Sequence, residues 1–259
     1  MPDFDTSVPH VARVYDYWLG GKDNFAADRA MGERTLQAYP NLVYSVRANR
    51  AFLARTVRFL ANQGIRQFLD IGTGIPTANN THEVAQGAAP ESRIVYVDND
   101  PIVLSHAKAL LKSTPEGACA YLDADLRDPD TILAGAANTL DFARPVAVML
   151  IAVMHFIGDD AEASAIMNRL MAACVPGSYV ALSHAASDID AAQMAEMIRR
   201  LNESTAEKTT LRDRAGVTRL FAGLELVEPG VIRAAEWRPD TDLEAASPAA
   251  LWGGVARKP

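Results

Sequence analysis

The stretch QFLDIGTG, residues 67–74, joins a short apolar run to an aspartate and two glycines. A buried strand followed by a glycine turn has this pattern, and in open α/β sheets ligands bind beyond the carboxyl ends of the strands. Glycines at such a turn let a ligand approach the backbone closely, although they can also serve packing alone. The stretch therefore predicts the first strand of an α/β domain and a ligand site that includes Asp70, Gly72, Thr73 and Gly74.

After this strand, short apolar runs alternate with helical stretches, which indicates a parallel sheet covered on both faces. Further strands are predicted at 93–98, 118–125, 145–153, 178–185, 224–227 and within 251–259. Helices are predicted at 81–88, 102–112, 131–140, 161–175 and 191–203. We therefore expect an α/β, Rossmann-like doubly wound sheet of about seven strands, most of them parallel.

The chain before residue 65 has a helical pattern instead. Amphipathic helical segments are predicted at 11–19, 25–39 and 44–62. No linker rich in glycine, serine or proline divides the sequence, so we expect a single domain over residues 1–259. Within it, residues 1–64 are predicted to form a helical cap or lid and residues 65–259 the Rossmann-like core.

Composition excludes several classes of partner. The formal net charge of −7 would repel the phosphates of nucleic acids, so no nucleic-acid partner is expected. The sequence lacks an apolar run of membrane-spanning length and an N-terminal signal pattern, which predicts a cytoplasmic protein with no membrane partner.

The two cysteines of the sequence lie far apart, and no acidic or histidine pair has metal-ligand spacing, so neither a disulfide nor a metal is expected. The oligomeric state has no signature in the sequence.

The second predicted strand ends in Asp98, which follows Gly74 by 24 residues. This spacing is close to that of a carboxylate which accepts hydrogen bonds from the ribose of a nucleotide cofactor. Asp98 has an alternative interpretation as the cap of the next helix, a role that Asp100 followed by Pro101 also suits. Together with the glycine turn, Asp98 predicts a site for an adenosine group.

The glycine turn departs from the dinucleotide pattern. A third glycine would stand at position 77, where the sequence has Thr77, and Pro76 removes a backbone amide that a pyrophosphate would use. S-adenosylmethionine carries an adenosine without a phosphate, so the turn favours it over NAD. At the end of the third strand, Asp125 is placed to accept from the adenine amino group and the Leu126 amide to meet a ring nitrogen; an aspartate-rich turn is the alternative.

The stretches DIGTG (70–74), VYVDNDP (95–101) and DADL (123–126) together resemble the ordered motifs of class I S-adenosylmethionine-dependent methyltransferases. LIAVMHFIGDD (150–160) resembles the fourth-strand motif of such enzymes that act on small molecules. Four stretches together resemble the S-adenosyl methyltransferase family of actinomycetes, once catalogued as a domain of unknown function: VYDYWLGGKDNF (14–25), RANRAFLARTVRFL (47–60), FLDIGTGIPTANNTHEVAQ (68–86) and VYVDNDPIVLSHAKALL (95–111). This resemblance runs from about residue 11 through the final strand. The resemblance implies S-adenosyl-L-methionine as the cofactor, but it implies no acceptor.

The resemblance also extends the expected cofactor site to Asn99, Ile151 and Ala152. Tyr15 joins them because Tyr15-Asp16 resembles the start of ubiquinone-pathway methyltransferases, where the tyrosine lies near the cofactor. The alternative is an aromatic side chain that anchors the helix to the core. Arg50 is a candidate partner for the methionyl carboxylate, since arginine binds carboxylates through two parallel hydrogen bonds.

His155 and His184 fall near the carboxyl ends of predicted strands and are candidate catalytic bases for a hydroxyl acceptor. Each is also explained as a hydrogen-bonded structural histidine. An Asn-Pro-Pro-Tyr signature of amine-directed DNA and protein methyltransferases is absent, so base-flipping DNA chemistry is not expected. The side chains of Tyr17, Trp18, Met154 and Phe156 favour a small aromatic or polyketide-like acceptor. Two alternatives stay open: a regulator that binds S-adenosylmethionine without catalysis, and an NAD-dependent oxidoreductase.

Overall fold

The computed structural model describes residues 5–103, 105 and 112–259, and within them a central sheet of eight strands. The strands are β1 (Gln67–Ile71), β2 (Arg93–Asp98), β3 (Ala118–Asp123), β4 (Ala147–Ile151), β5 (Tyr179–Ala185), β6 (Glu225–Leu226), β7 (Ile232–Arg233) and β8 (Leu251–Arg257). Their order is β3-β2-β1-β4-β5-β8-β6, and β7 also pairs with β8. Strands β1 to β5 are parallel and β8 is antiparallel to β5, so the predicted Rossmann-like, mostly parallel sheet is confirmed.

Helices cover both faces of this sheet. They are α1 (Val11–Leu19), α2 (Ala26–Ala38), α3 (Leu42–Asn62), α4 (Thr81–Ala88), α5 (Pro129–Ala136), α6 (Asp160–Ala173), α7 (Ala191–Ser204), α8 (Arg214–Arg219) and α9 (Asp242–Ala245), with a 3-10 turn at Met154–Phe156. The helix predicted at 102–112 falls mainly on residues 104 and 106–111, which lie outside the described residues. The sequence did not predict α8, α9 or β7, because segments this short show too little periodicity.

The strand order reverses beside β1. The chain places β2 and β3 on one side of β1 and then returns to place β4 and β5 on the other. In open α/β sheets the connections on the two sides of such a point diverge, and a crevice opens at the carboxyl edge between them. The glycine turn that follows β1 lies at this edge.

Strand β1 is buried along its whole length and contributes apolar side chains to both faces of the sheet. Phe68 belongs to the apolar cluster shared with α3 and α7, whereas Leu69 belongs to the cluster shared with α5 and α6. Successive side chains of a strand point to opposite faces, which is why one continuous apolar run serves two cores.

Strand β4 ends at Ile151, two residues before the end that the apolar run predicted. Ala152 has a φ of 55° and donates its N–H to the Ser183 hydroxyl of β5 at 2.9 Å. A left-handed conformation is incompatible with a strand, so the chain leaves the sheet here and turns along the carboxyl edge. Strand β3 similarly ends at Asp123 instead of Asp125.

Helix α3 attaches the N-terminal helices to the sheet. Phe52 is fully buried, and its ring meets the ring of Trp237 edge to face with the centroids 5.6 Å apart. A Cβ added to Gly253 of β8 would lie 3.0 Å from two carbons of the Phe52 ring. The ring therefore lies directly on the backbone of β8.

We predict that Phe52→Ala lowers the free energy of unfolding by about 3–5 kcal/mol, because it removes a buried aromatic ring and leaves a cavity against β8. Urea denaturation measures this change. Tyr44→Ala on the same helix is the matched control, since Tyr44 is 51 % exposed, and it should change the free energy by no more than about 0.5 kcal/mol. Equal effects of the two substitutions would contradict the packing of α3 on β8.

Candidate functional site

A cavity of about 220 Å³ opens at the carboxyl ends of β1, β2, β3 and β4. Helices α1, α3 and α7 contribute the wall that faces the sheet edge. Every cofactor-binding residue predicted from the sequence lines this cavity: Tyr15, Arg50, Asp70, Gly72, Thr73, Gly74, Asp98, Asn99, Asp125, Leu126, Ile151 and Ala152. Of the two candidate bases, His155 lines the cavity and His184 does not.

The turn after β1 needs its glycines for two different reasons. Gly72 has a φ of 76°, and a Cβ added to it would lie 2.3 Å from Cγ2 of Val153. Gly74 has a φ of 65°, but a Cβ there would meet open space. Gly72 therefore permits close packing of two loops, whereas Gly74 leaves the backbone free for the approach of a ligand.

Asp98 is held at the cavity by the same turn. Its Oδ2 accepts a hydrogen bond from the Gly74 N–H at 2.8 Å, and its Oδ1 accepts from the Asp100 N–H at 3.0 Å. Burial raises the pKa of Asp98, while the two backbone amides act in the opposite direction. A carboxylate has about four acceptor positions, so Asp98 retains positions for a ligand. The helical residues 101–103 have their own cap, because Asp100 Oδ1 accepts from the Ile102 N–H at 2.8 Å.

Asp70 lies at the tip of β1 and is only 3 % exposed. Its Oδ2 accepts a hydrogen bond from the Thr81 hydroxyl at 2.6 Å, which ties the strand to the start of α4. Burial is the largest influence on this carboxyl and raises its pKa to about 6. Asp70 therefore combines a cavity position with a structural contact.

Asp125 and Leu126 form the part of the wall beyond β3. Asn99 donates to Asp125 Oδ2 at 3.2 Å, and the Arg127 N–H donates to Asp125 Oδ1 at 2.8 Å. Leu126 is buried, with 7 % of its surface exposed. The tips of β2 and β3 are thus joined by a direct contact between Asn99 and Asp125.

Arg50 reaches from α3 to the loop after the glycine turn. Its Nη2 donates to the carbonyl oxygens of Ala78 and Asn79 at 3.2 and 3.3 Å. Its Nε is buried and has no hydrogen-bond partner among the described residues. Buried donors are nearly always paired, so an unpaired guanidinium nitrogen in a cavity wall fits an anionic ligand group.

A chain of hydrogen bonds that sequence reasoning missed joins the N-terminal helices to β4 and β5. The Asn49 amide donates to the Tyr15 hydroxyl at 2.9 Å, and the Ser183 hydroxyl donates to Asn49 Oδ1 at 2.5 Å. The Ser183 hydroxyl in turn accepts from the Ala152 N–H at 2.9 Å. Burial raises the pKa of Tyr15, so its phenol stays protonated in the cavity wall. No local motif marks Asn49 or Ser183, because their partners are distant in sequence.

His155 lies on the 3-10 turn after β4. The Thr210 N–H donates to its carbonyl oxygen at 2.7 Å, and its ring meets the ring of Phe156 with centroids 4.4 Å apart. Its Nδ1 is inaccessible to solvent and has no hydrogen-bond partner among the described residues. Burial, and then the charges of His184 and Arg212, lower the pKa of His155 to about 3.

His184 lies near the end of its strand, as predicted, but outside the cavity, so its candidate role as a catalytic base is wrong. His184 is fully buried, its Nδ1 donates to the Ala185 carbonyl at 2.9 Å, and its Nε2 lies 2.9 Å from Nη1 of Arg212. The neighbouring Ala185 lines the cavity, so the alternation of the strand points His184 to the opposite face. His184 therefore supports Arg212, which bonds the carbonyl oxygen of Ile157.

Among the described residues, no group of three His, Cys, Asp or Glu side chains is arranged to hold a metal ion. None of the helices in this part of the chain has the length and apolar character needed to span a bilayer.

The depressed pKa of His155 predicts an effect of pH on stability. The unfolded chain binds a proton at this residue below about pH 6.5 and the folded chain only near pH 3, so its contribution to stability is lost as the pH falls between these values. In His155→Leu, the free energy of unfolding from urea denaturation should therefore drop less between about pH 7 and pH 5 than in the wild type. The raised pKa of Asp70 has the opposite effect, because it makes the folded chain more stable as the pH falls, but this effect is the same in the wild type and the variant. Equal drops would contradict a neutral His155.

Comparison with known proteins identifies the family. A family model described as S-adenosyl methyltransferase matches residues 1–259. None of the curated proteins matches the chain.

Two solved structures are similar over nearly the whole chain. A DUF574-family protein from Streptomyces avermitilis MA-4680 shares 45 % identity with a TM-score of 0.95, covering 98 % of this chain and 99 % of that chain. A candidate methyltransferase from Thermobifida fusca YX shares 42 % identity with a TM-score of 0.90, covering 99 % of this chain and 97 % of that chain.

Human N-acetylserotonin methyltransferase, solved with S-adenosylmethionine, is a more distant neighbour. It shares 17 % identity with a TM-score of 0.50, covering 94 % of this chain and 62 % of that chain, and this likeness concerns the fold alone. The full-length family match and the two structures above 40 % identity decide the assignment. The chain belongs to the S-adenosyl methyltransferase family, and its cofactor is S-adenosyl-L-methionine.

Proposed function

We propose that this methyltransferase transfers the methyl group of S-adenosyl-L-methionine to a small-molecule acceptor that binds in the same cavity as the cofactor. The main support for this proposal is that one cavity has a polar part and an apolar part. The strand tips supply carboxylates and open backbone, while α1 and α7 supply apolar side chains such as Trp18, Met194 and Met197. A polar part suits the cofactor, and an apolar part suits a small organic acceptor.

The residues at the strand tips fit the cofactor. We assign the ribose hydroxyls to Asp98, the adenine to Asp125 and Leu126, and the methionyl carboxylate to Arg50. Two observations support this fit: the open space above Gly74 and the unpaired Nε of Arg50. The remaining predicted residues would line the site, with Ile151 and Ala152 on the methionyl side.

When bound, S-adenosyl-L-methionine supplies a methyl group on a positively charged sulfur. Methyl transfer is an in-line displacement, so the protein's main tasks are to align the acceptor and to exclude water. The wall formed by α1, α3 and α7 excludes water, and the Tyr15–Asn49–Ser183 chain holds α1 and α3 on the strand tips. His155 is the candidate base beside the molecule that receives the methyl group. Because its pKa is lowered to about 3, it orients a proton-bearing group more effectively than it removes the proton.

The assignment of Gly74 to the cofactor site gives a direct prediction. Gly74→Ala should weaken the binding of S-adenosylmethionine at least about tenfold, a loss of about 1.4 kcal/mol, because the new methyl group projects into the cavity. Isothermal titration calorimetry with S-adenosylmethionine and with S-adenosylhomocysteine measures this change.

Gly64→Ala is the matched control for that substitution. Gly64 has a φ of 88° and open space around it, like Gly74, but it does not line the cavity. Both substitutions should cost about 1–2 kcal/mol of backbone strain. If Gly74→Ala binds the cofactor as tightly as Gly64→Ala does, the turn is not part of the cofactor site.

The acceptor class is tested by incubating the protein and S-adenosylmethionine with a library of small organic molecules. Mass spectrometry should detect S-adenosylhomocysteine together with an acceptor that has gained one methyl group. Methylation of proteins or nucleic acids from a cell extract, with no small molecule methylated, would overturn the proposal. Tight cofactor binding with no methylation of any kind would instead identify a non-catalytic regulator.

A further inference from the structure

Two residues that line the cavity each carry a buried polar atom with no hydrogen-bond partner among the described residues: Thr209 its Oγ1 and His155 its Nδ1. Thr209 is 5 % exposed. Buried polar atoms in folded proteins are nearly always paired, and leaving one unpaired costs free energy. Two such atoms on residues that line one cavity therefore indicate that a ligand completes their hydrogen bonds.

The backbone fixes both residues beside each other. Two backbone hydrogen bonds hold Thr209 on Asn202, in the last turn of α7. The Thr209 N–H donates to the Asn202 side chain at 2.8 Å, and the Thr209 carbonyl oxygen accepts from that side chain at 2.9 Å. The next residue, Thr210, donates its N–H to the carbonyl oxygen of His155 at 2.7 Å. The segment that carries Thr209 therefore bridges α7 and the 3-10 turn that carries His155.

The surroundings of these two atoms are apolar. Ile198 and Leu201 of α7 line the same cavity, and Phe156 packs against the His155 ring. We call Thr209, His155, Phe156, Ile198 and Leu201 the acceptor subsite. An apolar pocket with a small number of polar atoms is the usual form of a site that recognises a largely apolar small molecule.

The charged groups next to the acceptor subsite are already paired. Arg212, whose charge acts on His155, forms an ion pair with Asp160 at 2.8 Å. Arg127 donates to the Phe156 carbonyl oxygen at 3.0 Å and forms ion pairs with Glu207 and Asp125 at 3.3 and 3.4 Å. His155 is neutral at physiological pH, because burial lowers its pKa. A charged ligand group would find no compensating charge here, and burying an uncompensated charge is costly.

We propose that the acceptor subsite binds an uncharged, largely apolar molecule through a hydroxyl group, which is held by Thr209 Oγ1 and His155 Nδ1. This inference rests on the proposed function and names the chemical class of its acceptor. A hydroxyl group both donates and accepts hydrogen bonds, so it can satisfy a threonine hydroxyl and an imidazole nitrogen in either tautomer. A carboxylate only accepts and an ammonium only donates, and both carry a charge.

The test uses three probes that share one ring system: 2-naphthol, 2-naphthoate and 2-naphthylmethylamine, which is protonated at neutral pH. Their binding to the full-length protein is measured by isothermal titration calorimetry, with and without S-adenosylhomocysteine. We expect 2-naphthol to bind at least about tenfold more tightly than either charged probe. Equal or tighter binding of a charged probe, or no binding of 2-naphthol, would overturn the inference.

Thr209→Val removes the unpaired hydroxyl and nearly preserves the shape of the side chain. It should weaken 2-naphthol binding about three- to tenfold and leave the thermal unfolding temperature unchanged or higher, because a buried unpaired polar group is lost. A purely structural threonine would instead give a lower unfolding temperature. Thr56→Val is the matched control, since Thr56 is buried, bonds the Leu53 carbonyl and does not line the cavity; it should leave 2-naphthol affinity unchanged.

The outcomes separate this inference from the proposed function. If Thr209→Val binds 2-naphthol as tightly as the wild type, the inference fails, whereas S-adenosylmethionine binding and methylation of other small molecules would still support the proposed function. If the wild type methylates only macromolecules while 2-naphthol binding depends on Thr209, the proposed function fails and the subsite itself stands.

Discussion

The hydrogen bond from the Gly74 N–H to the Asp98 carboxylate is the contact on which the site depends. It joins the tips of two neighbouring strands, and the Gly72 N–H adds a second connection by donating to the Val97 carbonyl oxygen at 2.8 Å. These bonds bend the chain out of β1 with its glycines in left-handed conformations and turn the Asp98 side chain into the cavity. Because β1 lies where the strand order reverses, the bend faces the crevice in which this class of sheet binds ligands.

The N-terminal helices complete the site from the other side. Residues of α1 and α3 reach the strand tips through the hydrogen bonds that link Tyr15, Asn49, Ser183 and Ala152. This chain fixes the left-handed turn at the end of β4 and the position of the tyrosine with the same set of bonds. The tip of β4 and the wall formed by α1 and α3 are therefore held by one network, and a change at Asn49 would affect both.

The sequence predicted the parts of the site that come from local patterns. The apolar run of β1, its glycine turn and the spacing to Asp98 are contained in short stretches, so composition and periodicity identified them. The role of His184 was predicted wrongly because its place near a strand end did not fix which face of the sheet its side chain takes, and successive side chains of a strand point to opposite faces. Asn49 and Thr209 were missed because their roles arise from contacts between elements that are distant in sequence. The early end of β4 depends on the positive φ of Ala152, which no sequence pattern indicates.

A crystal structure of the protein with S-adenosylhomocysteine is the most direct test of the central claim, that the tips of β1 to β3 together hold one adenosine. We expect the ribose hydroxyls to lie within hydrogen-bonding distance of the Asp98 carboxylate, above the backbone of Gly74, with the adenine beside Leu126. Ribose bound elsewhere, with the space above Gly74 filled by protein side chains, would contradict it.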